Sequence, residues 1–173
     1  MKKIDKRKKA LSSIISIFLI ILLVFIVAGI IWEVVNNLIT DKTKKSKACF
    51  NSIGKIEINS FYTCYNKTGD ELKFGIERKD FDLDSILVVI ATDKDSYSLK
   101  IPAKQKTESL EELTNFSRGK SIITPPKNSG YSYYLNLSKT KLSGSKPIKI
   151  QIAPIVNDFQ CDVSDSLDII EDC

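Results

Sequence analysis

The chain has 173 residues, with 26 Lys and Arg against 21 Asp and Glu, and no His. Six of the basic groups and one acid lie in residues 1–10, which leaves 20 of each sign elsewhere, so the formal charge of +5 belongs to the leading segment. A nucleic-acid-binding domain needs a basic face of its own, which this balance does not supply, and the missing imidazole removes the commonest general base and a common zinc ligand.

The first element is a basic leader, residues 1–10, carrying Lys2, Lys3, Lys6, Arg7, Lys8 and Lys9. From Ala10 to Trp32 no side chain is charged. As a helix rising 1.5 Å per residue, such a run crosses a hydrocarbon core of ~30 Å. Residues 11–40 therefore read as one transmembrane helix. It is apolar all round at first and turns amphipathic at its end, where Val34, Val35, Leu38 and Ile39 oppose Glu33, Asn36 and Asn37. Trp32 stands where an interfacial aromatic is expected.

Lys and Arg beside a span favour the cytoplasmic side. The leading cluster abuts the span at Lys9, whereas Glu33 and Asp41 precede any Lys beyond it. This bias predicts a single pass of the cell membrane, with the amino terminus cytoplasmic and the carboxy-terminal part extracellular. Residues 41–48 read as a polar linker whose lysines are solvated.

Residues 49–173 break into short period-two segments. Strands are predicted over 55–65, 71–77, 86–91, 97–101, 120–124, 131–137 and 147–155, with turns at 66–70 and 93–95. Leu110, Leu113 and Phe116 recur at helical spacing and predict a helix over 107–116. Pro125-Pro126-Lys127-Asn128-Ser129-Gly130 is a loop. The acidic tail 161–173 reads as a helical turn pinned by a disulfide. Seven strands after one helix give an α+β class with a two-layer antiparallel β-sandwich, and about 130 residues supports one such domain.

Cys49, Cys64, Cys161 and Cys173 form an even set with no C-x-x-C spacing. Two disulfides in an oxidising space are expected, and of three possible pairings the local ones, Cys49 with Cys64 and Cys161 with Cys173, are preferred. Asn66-Lys67-Thr68, Asn115-Phe116-Ser117 and Asn136-Leu137-Ser138 are glycan acceptors wherever they are exposed outside the cell.

Asp80-Phe81-Asp82-Leu83-Asp84 alternates carboxylates, but Ser85 and Ile86 do not continue an EF-hand loop. It reads as a solvated turn, and no metal or cofactor is expected. No G-x-S-x-G or S-x-x-K pattern with its companions is present, so no enzyme is expected; a surface hydrolase is the competing enzyme-class reading. Phe61, Tyr62, Tyr65, Tyr131, Tyr133 and Tyr134 are either an adhesive surface or alternating faces of strands. Tyr133 and Tyr134, being neighbours, point to opposite faces.

The junction Lys8-Lys9-Ala10-Leu11-Ser12 bears on processing. A Sec signal has a shorter apolar region with a small-residue cleavage site behind it. Here the apolar run continues into Trp32, Glu33 and Val34, Val27-Ala28-Gly29 is a poor substitute for A-x-A, and the small residue precedes the run. A basic pair, Ala and a long Ile/Leu helix resemble the class III leader of archaeal type IV pilins and archaellins. Cys64, Phe81-Asp82-Leu83-Asp84-Ser85, Pro126-Lys127-Asn128-Ser129-Gly130, Ile152-Ala153-Pro154-Ile155 and Cys161-Asp162-Val163-Ser164-Asp165 are also similar to segments of pilin-like proteins of small archaea.

The resemblance implies a pilin-like, Ig-like β-domain and cleavage between Ala10 and Leu11 by a prepilin peptidase, with Lys8 and Lys9 as flanking charges. It implies that the helix is retained and forms a homo-oligomer, the core of a cell-surface filament built by a pilus assembly platform. Ile15 stands at the fifth mature position, where bacterial pilins usually carry Glu and archaeal members commonly do not. The competing reading is an uncleaved single-pass anchor with an extracellular binding domain.

Overall fold

The computed structural model describes residues 3–50, 52–104, 111–116 and 122–173. One helix, α1 (Lys3–Cys49), carries the whole apolar run. The first Pro in the chain is Pro102, so nothing interrupts the i→i−4 ladder. At 1.5 Å per residue α1 is about 70 Å long.

The helix does not stop where a linker was expected: residues 41–48 are helical. That segment is polar but holds no Gly or Pro, and Lys and Ala are good helix formers. Lys47 in the last turn also complements the helix dipole. Polarity alone does not end a helix. The chain divides into two compact units, Met1–Lys44 and Lys45–Cys173.

The second unit is built of β1 (Ile56–Asn66), β2 (Glu71–Arg78), β3 (Ser85–Ala91), β4 (Ser96–Pro102), β5 (Leu113–Asn115), β6 (Ser129–Asn136), β7 (Lys149–Val156), β8 (Phe159–Gln160), β9 (Asp165–Leu167) and β10 (Glu171–Asp172). One sheet has the order β10-β1-β2-β6-β5; the other has β4-β3-β7-β8, with β9 also on β7. The pairs are antiparallel except β10, which runs parallel to β1. Alternation sends Leu72, Phe74, Ile76, Tyr133 and Leu135 of the first sheet and Ile86, Val88, Ile90, Leu99, Ile101, Ile150 and Ile152 of the second into one buried cluster.

Three local expectations change. Residues 107–110 of the proposed helix lie outside the described residues, and Leu113–Asn115 is a strand. Leu113 lies opposite Leu135 and Asn115 opposite Tyr133, so cross-strand burial outweighs a three-residue spacing. Of the strand expected over 120–124, residues 120 and 121 lie outside the described residues and 122–124 are irregular, held where the Thr124 amide donates to the Pro102 carbonyl at 2.9 Å.

The tail is not a helical turn. Leu167 pairs with Ile150, Ile170 is buried, and the chain ends in β10. Between β8 and β9 the register on β7 slips by two residues at Asp162 and Val163. The slip lies beside Pro154, whose carbonyl accepts from the Cys161 amide at 2.9 Å but whose ring nitrogen has no hydrogen to return.

The four cysteines form two disulfides, but the preferred pairing is wrong. The bonds are Cys49–Cys161 and Cys64–Cys173, with sequence separations of 112 and 109. The cause is topological. Parallel pairing of β10 on β1 places Glu171 beside Cys64, and the Ser164 hydroxyl donates to the Ile56 carbonyl at 2.9 Å, which carries the 161–165 segment to the start of β1.

Tyr133 stacks on Phe74 with ring centroids 5.4 Å apart, and its hydroxyl donates to the Ile123 carbonyl at 2.6 Å. Burial pushes this phenol well above its ordinary range. Burial and a bond to Glu112 push Tyr97 up to about 12, and burial followed by a bond to Asp70 raises Tyr65. A phenol whose pKa is higher folded than unfolded stabilises the fold below the unfolded value of 10.0. That contribution is lost as pH rises through the folded value. An absorbance titration of tyrosinate should show these three phenols ionising late, with unfolding setting in between pH 10.0 and about 12. Full ionisation of all six tyrosines near 10.0 with the fold intact would contradict this placement.

Candidate functional site

Lys8, Lys9, Ala10 and Leu11 lie within α1, and the backbone is helical without a break across the Ala10–Leu11 bond. From Ile15 to Ile39 the large apolar side chains are exposed on every side of the helix. Monomeric soluble proteins rarely expose a contiguous apolar surface of this extent. The helix is long and apolar enough to cross a membrane.

The three sequons differ in access. Asn66 is exposed, and its Oδ1 accepts from the amides of Thr68 at 3.1 Å and Gly69 at 3.3 Å. Asn136 is half-buried and caps a short 3₁₀ turn, with Oδ1 accepting from the Ser138 amide at 3.0 Å and hydroxyl at 2.8 Å. Both stand in one cross-strand row through Glu71. Asn115 is 2% exposed, and the folded domain leaves no room for a glycan there.

Asp80 and Asp82 share one partner: Lys127 Nζ lies 3.0 Å from an oxygen of each. These bonds, with Asp82 first, hold the amine above its usual pKa. Asp84 accepts from the Asp158 amide at 3.3 Å. Among the described residues no group of three or more His, Cys, Asp and Glu is placed to hold a metal. A cleft of about 440 Å³ is lined by Asp84, Ser85, Tyr97, Lys100 and Asp158 among others.

The aromatic residues separate cleanly. Tyr65 and Tyr133 are buried, Tyr131 and Tyr134 are half-buried, and Phe61 and Tyr62 are exposed. The exposure of the last two comes from an excursion in β1. Between the pairs Asn59–Gly75 and Cys64–Lys73, residues 60–63 face Phe74 alone. Asn59 builds this bulge. Its Oδ1 accepts from the Phe61 and Tyr62 amides at 3.0 and 3.3 Å, and its carbonyl accepts from the Thr63 hydroxyl at 2.7 Å. The result leaves Phe61 96% exposed and lays Tyr62 over Gly75.

A shallow groove of about 270 Å³ runs beside Tyr62 on the outward face of the first sheet. Its floor holds Gly75 and Gly130, in adjacent strands, and Ser132, opposite Gly75. Phe116 lines its other side, and its ring lies 5.9 Å from that of Tyr134, which lines a neighbouring cleft together with Lys73. Lys73 Nζ lies 5.8 Å from the Tyr62 ring and 5.8 Å from the Tyr134 ring. Asn59 donates to the Glu77 carboxylate at the rim.

A glycine inside a strand costs roughly 0.5–1 kcal/mol. Neither Gly75 nor Gly130 has the positive φ that would require one. A Cβ at Gly75 would stand 3.1 Å from Tyr62 Cβ, so this glycine provides close approach. The sequence signal for the groove was Gly75 interrupting an alternating run; Lys73, Phe116 and Gly130 gave none without the register.

No family model, no curated protein and no solved structure matches the chain.

Proposed function

We propose that the chain is a structural subunit of an archaeal type IV pilus-like surface filament, inserted in the cell membrane before assembly. The observation that supports this most is α1 itself: a continuous helix, apolar on all sides between Ile17 and Trp32, joined to a disulfide-bonded β unit.

In a bilayer such a helix satisfies its own backbone and offers only apolar side chains to lipid. On assembly it exchanges acyl chains for the helices of other copies, and apolar burial is retained throughout. Cleavage between Ala10 and Leu11 removes the six basic groups of the leader, which would be costly inside an apolar filament core. Lys8 and Lys9 flank that bond on the cytoplasmic side, where the prepilin peptidase acts. The β unit is read as an Ig-like sandwich facing outward, with disulfides suited to an oxidising space and with Asn66 and Asn136 as its accessible glycan acceptors.

One observation favours the competing uncleaved anchor: the backbone is helical across the Ala10–Leu11 bond, and a peptidase must unwind it there. The test is the amino terminus of the native protein and its dependence on Ala10. With Ala10→Asp, cleavage and filaments should both be lost while the protein stays in the membrane. Filaments that persist in this variant would remove the assignment.

A further inference from the structure

We infer that the groove on the outward face of β1, β2, β6 and β5 binds a neutral oligosaccharide carried on another surface. The inference is independent of whether α1 assembles into a filament.

The groove is a specific construction. Two central strands place glycines on the same outward face, Gly75 in β2 and Gly130 in β6, and the residue opposite Gly75 is the small Ser132. A shallow trench crosses the sheet beside Gly130 and Ser132, and over Gly75 the space is taken by Tyr62 and Asn59. Tyr62, brought over the sheet by the Asn59-built bulge, forms one wall, and Phe116 forms the other. Lys73 lies between the Tyr62 and Tyr134 rings, where cation–π attraction holds the Tyr62 wall in place from behind. The Asn59 amide, the Glu77 carboxylate and the Ser132 hydroxyl stand along the same trench.

This chemistry selects its occupant. Aromatic rings offer flat faces to which the weakly positive C–H face of a sugar ring is attracted. The carboxylate, amide and hydroxyl are spaced around those rings to exchange hydrogen bonds with ring hydroxyls. Lys73 and Glu77 balance in charge, so neither a polyanion nor a polycation is favoured. An extended peptide would need a free strand edge, and the strands beneath the trench are already paired with one another. An acyl chain gains nothing from the Asn59–Glu77 rim. A neutral saccharide uses both the rings and the rim.

The test uses the full-length protein in detergent, with cellohexaose and mannohexaose as neutral probes and polygalacturonate as the acidic comparison, read by calorimetry and ligand-observed NMR. Binding of a neutral probe in preference to the acidic polymer is expected. Tyr62→Ala and Phe116→Ala should each weaken it about tenfold or more. Ser132→Trp, which fills the floor and removes no wall, should do the same while the circular dichroism spectrum and both disulfides are retained. Absence of binding to both neutral probes overturns the inference, as does equal binding by the Ser132→Trp variant. So does a change in self-association in these variants that neither probe reproduces, which would make the face a contact between copies of the chain.

Discussion

Replacing Cys161 by Ser lowers the stability of the β unit by about 3–5 kcal/mol, a large share of the total for a domain of this size. The effect is large because the bond to Cys49 closes a loop with a sequence separation of 112, whereas the locally preferred partner would have closed a short one. In the chain-entropy account, a cross-link over roughly 100 residues restricts the unfolded ensemble by about 4.7 kcal/mol, against about 3 kcal/mol for a 15-residue loop. Cys64→Ser should act similarly, since its bond to Cys173 has a separation of 109.

The two bonds should nevertheless differ under mild reduction. Cys161 is buried, whereas Cys173 is the exposed last residue. Cys64–Cys173 should therefore open first and release β10 from the edge of β1. Chemical denaturation of each variant and non-reducing peptide mapping measure both statements. Cross-linked peptides joining Cys49 to Cys64, or a loss below about 1 kcal/mol for either variant, would contradict the topology.

Phe74→Ala is expected to cost about 3–5 kcal/mol. Phe74 is fully buried in the middle of β2, and its ring stacks on Tyr133 in the neighbouring strand. Tyr133 is itself fixed by its bond to the Ile123 carbonyl, so the surrounding side chains have little freedom to collapse into the space left. Phe74→Leu, which keeps most of the volume, should cost less than half as much. Thermal and denaturant unfolding of the two variants give the comparison. Equal losses would place Phe74 at a plastic boundary instead of in a close-packed interior.

How much of this could be read from the chain differs by feature. The apolar helix was legible because a run free of charge is a local signal. β1, β2, β3, β4, β6 and β7 were legible because alternation is local too. The helix's extension to Cys49 was not, because a polar segment suits a solvated helix as well as a linker, and 41–48 holds neither Gly nor Pro to separate the two.

β5, β9 and β10 were not legible either. Each is two or three residues long and exists only because a longer strand lies beside it: β6 for Leu113–Asn115, β7 for Asp165–Leu167 and β1 for Glu171–Asp172. The disulfide pairing failed for the same reason, since partners over a hundred residues apart are brought together by sheet order. The aromatic face was half legible. Tyr133 and Tyr134 could be assigned to opposite faces by alternation, but the groove depends on Gly75, Gly130 and Ser132 sharing one face of two strands, which only the register between those strands fixes.

The decisive measurement is the intact mass and amino-terminal sequence of the native protein, recovered separately from membranes and from sheared surface material. Residues 1–10 should be absent from the surface fraction, with a chain that begins at Leu11, retains the rest of α1 and sediments as a polymer. A native protein that keeps Lys2 to Lys9 and behaves as a single membrane-bound species would contradict it.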